Sequence, residues 1–255
     1  MKIIISPAKK MKIEEDIDWE TIPSFLPETR LLMGTINAMS SSDKKAMWNC
    51  SDAIAKHSEQ LFNHMDLYGN RSPALFSYNG IQYQAMAPEA FTTTELAWLQ
   101  DHLRILSGFY GVVRPLDGIV PYRLEMQAKL TVNDSDSLYH FWGRKLYEAV
   151  MDDSRILINL ASKEYSDAIT PWIDPQRGDR LINIVFGSLH NGKIVITSVH
   201  AKKARGKFVR WMAEEQIDGM EKLSQFHEDG YLYSPDHSSE TTLVFLQQPD
   251  AVRCS

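Results

Sequence analysis

The chain has very little cysteine, which removes one common way of stabilising a protein. Only two of its 255 residues are cysteines, Cys50 in a helical pattern and Cys254 next to the C-terminus. No C-x-x-C pair occurs, so the usual ligand spacing of zinc and iron–sulfur sites is absent. We therefore expect neither a structural disulfide nor a cysteine-based metal centre.

Long hydrophobic runs are also missing. The apolar run Ile3 to Ile5 is far too short for a signal peptide or a membrane span. This favours a cytoplasmic protein with no membrane partner. No Gly/Ser-rich linker, repeat or low-complexity tract divides the chain, which is 44% hydrophobic. We expect one mixed α/β (α+β) domain over residues 1–255.

Familiar catalytic and cofactor motifs are absent as well. The chain contains no G-x-S-x-G, Walker loop, dinucleotide fingerprint or H-E-x-x-H. His57 and His64 share a predicted helix face but lie about 10 Å apart along its axis, too far to hold one metal without other ligands. The repeated E-x-x-H of a ferroxidase site does not occur either. We expect no cofactor, no metal site and no assignable catalytic residue, so any effect on iron is indirect.

Periodicity and turn signals predict irregularly alternating helices and strands. Thr92 followed by Glu95 is a capping box, and Asn191-Gly192 suits a type I′ hairpin turn. The predicted helices are Pro27 to Met39, Asp43 to Leu67, and Asp136 to Val150. The predicted strands are Lys2 to Ser6, Ala74 to Tyr78, Arg155 to Asn159, Leu181 to Phe186, and Thr242 to Leu246.

The most informative feature is the basic run HAKKARGKFVR at residues 200–210, which is predicted to be helical. The whole chain carries a formal charge of −6, so positive charge is concentrated here rather than general. A local positive field on an acidic protein indicates a site for a polyanion, most often nucleic acid or a phosphate. The alternative interpretation is a solvated helix face that contributes only to solubility.

A second candidate lies at residues 103–126, which read LRILSGFYGVVRPLDGIVPYRLEM. A leucine-faced helix is predicted to end at Leu106, followed by a G-x-x-G turn and a short helix starting near Pro115. This is a helix-hairpin-helix-like pattern, in which glycines let backbone N–H groups approach phosphate oxygens. The alternative is that Gly108 is an ordinary helix C-cap.

Five segments together resemble one known family. They are ISPAKKM at 5–11, FSYNGIQY at 76–83, LSGFYGVVRPLDGIVPYRLEM at 106–126, NLASKEY at 159–165 and AKKARG at 201–206. In sequence and order they are similar to the YaaA peroxide-stress-resistance family of bacteria. The resemblance implies a cytoplasmic DNA-binding protein that lowers free intracellular iron and limits oxidative damage. It also implies a single mixed α/β domain with a positively charged cleft and a helix-hairpin-helix.

The candidate DNA-binding residues combine these features. Lys9 is placed after the first strand, and Lys163 lies at a helix start, where the helix dipole disfavours a cation unless an anion is near. Arg114 and Arg123 can bind phosphate, or instead pair with Asp117 and Glu125 and fix their loops. The full set is Lys9, Gly108, Gly111, Arg114, Arg123, Lys163, Lys202, Lys203, Arg205 and Lys207.

The favoured hypothesis is a non-catalytic protein that binds duplex or branched DNA largely without sequence specificity. One rival is an enzyme acting on nucleic acid, such as a base-excision glycosylase or lyase. In that case Asp117 acts together with an amine from Lys9, Lys163 or Lys202. Another rival is a nucleotide-binding protein that uses the same cleft. The sequence predicts no protein partner.

Overall fold

The computed structural model describes residues 1–248. Its α-helices are α1 (Leu26–Ala38), α2 (Ser41–Trp48), α3 (Asp52–Asn63), α4 (Ala74–Ser77), α5 (Ile81–Met86), α6 (Thr93–His102), α7 (Leu138–Trp142), α8 (Lys145–Val150), α9 (Lys163–Ser166) and α10 (Ser198–Glu214). Its strands are β1 (Lys2–Ile5), β2 (Ser72–Pro73), β3 (Leu103–Ser107), β4 (Gly111–Val113), β5 (Gly118–Ile119), β6 (Ile156–Leu160), β7 (Arg180–His190), β8 (Lys193–Val195), β9 (Tyr231–Tyr233) and β10 (Thr242–Gln247). None of the helices in this range is long and apolar enough to cross a membrane.

A mixed sheet of eight strands forms the centre of the fold. Its order is β4-β3-β1-β6-β7-β10-β9, with β8 paired to β7. The strands β3, β1, β6, β7 and β10 run parallel, whereas β4, β8 and β9 are antiparallel. The inner strand β1 carries Ile3, Ile4 and Ile5 fully buried, as expected for a strand covered on both faces. The predicted mixed α/β class is confirmed.

The order of the strands creates a crevice at the carboxyl ends of two inner strands, β1 and β6. From β1 the chain passes to β3 on one side, and later to β6 on the other side of β1. Because β1 and β6 are adjacent and parallel, their carboxyl ends meet at this point of reversal. Such a switch point is where ligands bind in open α/β sheets. The topology therefore predicts a binding site formed by the loops that follow β1 and β6.

The basic run forms most of α10, which packs closely on α5. A Cβ at Gly206 would lie 2.0 Å from the backbone oxygen of Gln82, so only glycine permits this approach. On its buried side α10 places Phe208 against Phe186, Phe226 and Phe245, with ring centroids 4.9 to 5.7 Å apart. This aromatic packing fixes which face of α10 remains available for function.

The helix-hairpin-helix prediction is wrong. The helix α6 ends at His102, and the next residues form the β-hairpin of β3 and β4. Leu103 and Ile105 pair in parallel with β1, so burial in the sheet overrides the helical leucine spacing. A Cβ at Gly108 would lie 2.6 Å from the Leu124 carbonyl oxygen, which gives this glycine a packing role.

Three other elements differ from the sequence prediction. The helix predicted over residues 43–67 is broken at Asn49, which has a φ of 44°. The helix predicted over residues 136–150 is broken at Gly143, and residues 74–77 are helical rather than a strand. The capping box and the Asn191-Gly192 turn are confirmed, the latter with φ of 49° and 74°. Cys50 is a free thiol, and Cys254 lies outside the described residues.

Candidate functional site

A cavity of about 630 Å³ opens at the carboxyl ends of β1 and β6. Five segments line it: the loop after β1 (6–10), the start of α5 and its preceding loop (79–84), the loop 122–125, the start of α9 (162–165), and one face of α10. We call it the central cavity. Its position coincides with the switch point of the sheet, as the topology predicts.

Two serines and a tyrosine hold the strand ends together at the floor of the central cavity. The Ser6 hydroxyl lies 3.1 Å from the Ser162 hydroxyl and accepts a hydrogen bond from the Ser162 N–H at 2.8 Å. The Tyr83 hydroxyl donates to the Ser6 carbonyl oxygen at 2.9 Å. These contacts connect the ends of β1 and β6 to each other and to α5.

Basic side chains outnumber acidic ones around the central cavity. The basic residues in its lining are Lys9, Lys10, Arg123, Lys202 and Arg205. The acidic ones are Glu125 and Glu164. A concave surface with one sign of charge in excess and partly buried walls focuses the field and attracts anions.

A partly buried ion network crosses one wall of the cavity. Glu125 Oε1 lies 2.9 Å from Arg123 Nη2 and 3.1 Å from Lys9 Nζ. Arg123 is fixed further because its carbonyl oxygen accepts a hydrogen bond of 2.7 Å from Trp48 Nε1. The two cations offset the charge of Glu125, although its Oε1 accepts no hydrogen bond within residues 1–248, and the Lys9 side chain remains 63% exposed at the rim.

Glu164 differs electrostatically from Glu125. Burial raises the pKa of the Glu164 carboxyl above its usual value, and the neighbouring Glu125 charge adds to this effect. The Gln127 N–H, which donates to Glu164 Oε1 at 3.4 Å, and Lys9 act in the opposite direction. The cavity thus contains one carboxylate paired with two cations and a second, Glu164, whose raised pKa makes it more easily protonated than an ordinary glutamate.

Three buried nitrogen donors in the lining have no hydrogen-bond acceptor among residues 1–248. They are Gln82 Nε2, Arg123 Nε and Arg205 Nε. Burial lowers the pKa of the Arg205 guanidinium, although an arginine stays charged in proteins. Buried donors are normally paired with protein or water, so these three N–H groups are open to acceptor atoms in the cavity, where Glu125 Oε1 is a buried acceptor that likewise has no hydrogen bond within the described residues.

The rings of Tyr83 and Tyr122 form part of the apolar wall, and the hydroxyl groups of both already make hydrogen bonds. The Tyr122 hydroxyl lies 2.6 Å from Ser107 Oγ and 2.8 Å from the Tyr78 hydroxyl. Burial raises the pKa of Tyr122 to about 12. These tyrosines therefore shape the cavity rather than act as acids or bases at neutral pH.

The structure brings four of the ten predicted site residues to the central cavity, namely Lys9, Arg123, Lys202 and Arg205. Gly108 and Gly111 are buried in the β3–β4 hairpin.

The other four cations have acidic partners elsewhere. Arg114 Nε lies 3.4 Å from Asp117 Oδ1, and Lys163 Nζ lies 2.6 Å from Asp167 Oδ2. Lys203 and Lys207 contact Asp229.

The sequence analysis did not single out Gln82. It interpreted Glu125 as an ion-pair partner that fixes a loop, and Glu164 as an ordinary first-turn residue of a helix. A buried amide on a six-residue helix produces no motif or charge signal. The only sequence hint is the pair Gly80 and Gly206. A Cβ at Gly80 would lie 2.9 Å from the Ala8 Cβ, so each glycine permits a close approach beside the cavity.

Within the described range, no cluster of three or more His, Cys, Asp or Glu residues could hold a metal ion.

The fold and cavity together define a mixed α/β protein whose sheet has, at its switch point, a cavity lined by more basic than acidic side chains. The chain belongs to the family described as peroxide stress protein YaaA, whose model matches residues 1–237. This confirms the resemblance seen in the sequence and supports a role in peroxide stress.

Relatives described as UPF0246 proteins match nearly the full chain. The protein of Pediococcus pentosaceus is 44% identical over 248 residues, covering 97% of this chain and 98% of the relative. Those of Agathobacter rectalis and Lactiplantibacillus plantarum are each 43% identical, covering 96% and 97% of this chain and 98% and 100% of the relatives.

Proposed function

We propose that this protein binds DNA at the central cavity as part of the response to peroxide. The observation that carries the proposal is the convergence of five basic side chains from three separate segments on one cavity. The chain as a whole has a formal charge of −6, so this convergence is not a consequence of general basicity. Cations clustered on an acidic protein form an electrostatic footprint for a phosphate backbone.

The rim and the interior of the cavity have different roles in this proposal. Lys9, Lys10 and Lys202 are exposed and contact backbone phosphates. Such contacts position DNA but carry no sequence information, so binding is largely independent of sequence. Arg123 and Arg205 lie deeper and bind phosphate oxygens through their guanidinium groups.

The remaining predicted residues contribute less. Lys203 and Lys207 share α10 with Lys202 but already contact Asp229, and Arg114 and Lys163 also have acidic partners. An acidic partner lowers the net positive field that a phosphate experiences. The buried glycines of the β3–β4 hairpin do not contact DNA in this proposal.

Binding of this kind fits the resemblance to the family. A protein that occupies the DNA backbone limits oxidative damage there, and less free intracellular iron lowers the damage further. We place the effect on iron downstream of binding, because the cavity is lined by cations rather than metal ligands.

Adjacent lysines on α10 provide a matched test. Lys202→Glu reverses a charge in the cavity lining, whereas Lys203→Glu reverses the neighbouring charge, whose Nζ lies 3.8 Å from Asp229 Oδ2. Fluorescence anisotropy with duplexes of unrelated sequence should show about tenfold weaker binding for Lys202→Glu and less than about threefold for Lys203→Glu.

Wild-type affinity should be similar for all sequences and should fall steeply with salt through counterion release. Equal losses for the two variants would place the interface on the whole helix rather than at the cavity. A DNA affinity that does not change with salt concentration would contradict the proposal.

The two glutamates support a second candidate function, an enzyme acting on nucleic acid. Glu164, whose pKa is raised by burial, can donate its proton to a leaving base while water attacks the sugar carbon, and the proton that the water loses returns to the Glu164 carboxylate. The version that uses Asp117 has less support, because Asp117 is buried outside the cavity, where it accepts hydrogen bonds from Thr21 and Arg114.

Incubation with damaged DNA tests this candidate by chromatography of released bases, with Glu164→Gln as the inactive control. Borohydride trapping on abasic DNA tests for a lyase that uses Lys9 or Lys202 as the amine. If the wild type releases bases and Glu164→Gln does not, or if a covalent adduct forms, the protein is an enzyme rather than only a DNA-binding protein.

A further inference from the structure

The interior of the central cavity contains a hydrogen-bond donor that the fold does not use. Gln82 is only 7% exposed, and its Nε2 has no acceptor within residues 1–248. Its own backbone is held under α10 by the close approach of Gly206. Leaving a buried amide unpaired costs about 1–3 kcal/mol, and an apolar side chain of similar size would avoid that cost.

The unpaired amide is not isolated. Arg205, next to Gly206 in α10, and Arg123 on the loop 122–125 each have a buried Nε without an acceptor in the described part of the chain. All three side chains line the same cavity. One neutral donor near two cationic donors matches a ligand with both a neutral acceptor and an anionic group.

The size of the cavity limits what can enter it. A volume of about 630 Å³ lies within the range of roughly 300–1,000 Å³ typical of small-molecule pockets. A duplex can place backbone phosphates at the mouth of the cavity, but its paired bases are too wide to enter. A single nucleotide has the right scale, with a phosphate for the guanidinium groups and a base whose ring atoms accept a hydrogen bond.

The lining also supplies an apolar surface for a base. Ile81, Leu124 and Tyr83 line the cavity, and the Tyr83 hydroxyl is already bonded to the Ser6 carbonyl oxygen. Such walls favour a flat aromatic ring, while the few polar groups fix its orientation.

We infer that the central cavity is a mononucleotide pocket, in which Arg123 and Arg205 bind the phosphate and Gln82 donates to the base. This inference rests on the proposed function, in that it assigns to the DNA-binding cavity a single nucleotide as its inner ligand. Rim lysines contact the backbone, and the interior receives one nucleotide.

Isothermal titration calorimetry of the full chain tests the pocket. The probes are the four deoxynucleoside 5′-monophosphates, the corresponding deoxynucleosides and inorganic phosphate. We expect at least one monophosphate to bind about tenfold or more tightly than either its nucleoside or phosphate alone, since each part makes separate contacts. If no monophosphate binds better than inorganic phosphate, the inference is overturned.

A glutamine outside the cavity gives a matched control. Gln82→Leu removes the unpaired donor, whereas Gln60→Leu makes the same change at an exposed position of α3, away from the cavity lining. We expect Gln82→Leu to weaken monophosphate binding about tenfold with an unchanged or higher melting temperature. Gln60→Leu should change the affinity by less than about twofold. Equal effects of the two variants would overturn the role of Gln82.

Duplex binding separates this inference from the proposed function. Gln82→Leu should leave duplex affinity nearly unchanged, because the rim lysines remain. Duplex binding without monophosphate binding would refute the pocket and leave the proposed function standing. Monophosphate binding without duplex binding would refute the proposed function and leave a nucleotide pocket.

Discussion

The basic helix α10 and the β3–β4 hairpin both contain predicted DNA contacts, yet they differ in what surrounds them. In α10, Lys202 and Arg205 line an open cavity. In the hairpin, Gly108 and Gly111 are buried against side chains and backbone, and a Cβ at Gly111 would lie 2.9 Å from the Trp142 ring. A cluster of charged residues in a sequence indicates an exposed surface, whereas a glycine pattern can also arise because the glycines are tightly packed in the interior. Stability and DNA affinity should therefore respond separately in the two regions.

The largest expected effect is on stability in the hairpin. Gly111→Ala places a Cβ against Trp142 and Phe25 at a φ of 73°, so both a clash and backbone strain arise. We expect a loss of about 2–4 kcal/mol in the free energy of unfolding, measured by urea denaturation.

Gly192→Ala is the matched control for this substitution. Gly192 has nearly the same φ of 74°, but no atom lies within 4 Å of its added Cβ. Strain alone should cost about 1 kcal/mol there. If the two variants lose equal stability, the packing role of Gly111 is wrong. If fully folded Gly111→Ala bound DNA more weakly than the wild type, the β3–β4 hairpin would have to be part of the DNA-binding surface.

The second effect sharpens the comparison within α10 itself. Arg205→Met removes a partly buried cation that lines the cavity, while Lys207→Met removes one that contacts Glu228 and Asp229. We expect Arg205→Met to weaken DNA binding about tenfold with little change in melting temperature. Lys207→Met should cost up to about 1 kcal/mol of stability with little change in affinity. Anisotropy and thermal melting measure the two properties, and a reversed pattern would refute the assignment of the faces.

The smallest effect concerns pH. Because the folded-state pKa of Glu164 is raised, its ionisation opposes folding, and stability falls as pH rises above the usual glutamate value near 4.5. Glu164→Gln should therefore raise the melting temperature at pH 7, and this gain should vanish as the pH falls below about 4.

Asp152 should behave in the opposite way. Burial raises its pKa, but hydrogen bonds from Ser154 and the N-terminal amine outweigh burial, so the net shift is downward. A lowered pKa stabilises the fold above the unfolded-state value, and this contribution is lost as pH falls through the folded value. Asp152→Asn should therefore lower the melting temperature at pH 7 and have little effect in strong acid. The same sign for both variants would contradict these assignments.

Local signals in the sequence predicted much of the fold. The capping box at Thr92 and the Asn191-Gly192 turn depend on a few neighbouring residues, and both are present in the structure. Helix ends were less predictable. The helix breaks at Asn49 and Gly143 occur within amphipathic patterns that continue beyond them, because each of these residues adopts a positive φ and caps the helix that precedes it.

The candidate site was predictable only in part, for a related reason. Lys9, Lys202 and Arg205 lie in segments of recognisable charge or position, and the structure brings them to one cavity. Leu103 and Leu106 had helical spacing but belong to β3, since pairing with β1 is a long-range contact that no local window contains. Gln82 was missed because its importance arises from an absent partner, which only the folded surroundings reveal.

The five segments of the central cavity are spread from residue 6 to residue 205. No fragment that lacks α10 can complete it, so a ribosome must release most of the chain before the cavity exists. A newly made chain cannot bind there before it has folded almost entirely. Conversely, a ligand present at a hundred times its dissociation constant should stabilise the whole protein by about 2.7 kcal/mol. The cavity thereby couples occupancy to the lifetime of the entire chain, which a protease-resistance assay with and without DNA can read directly.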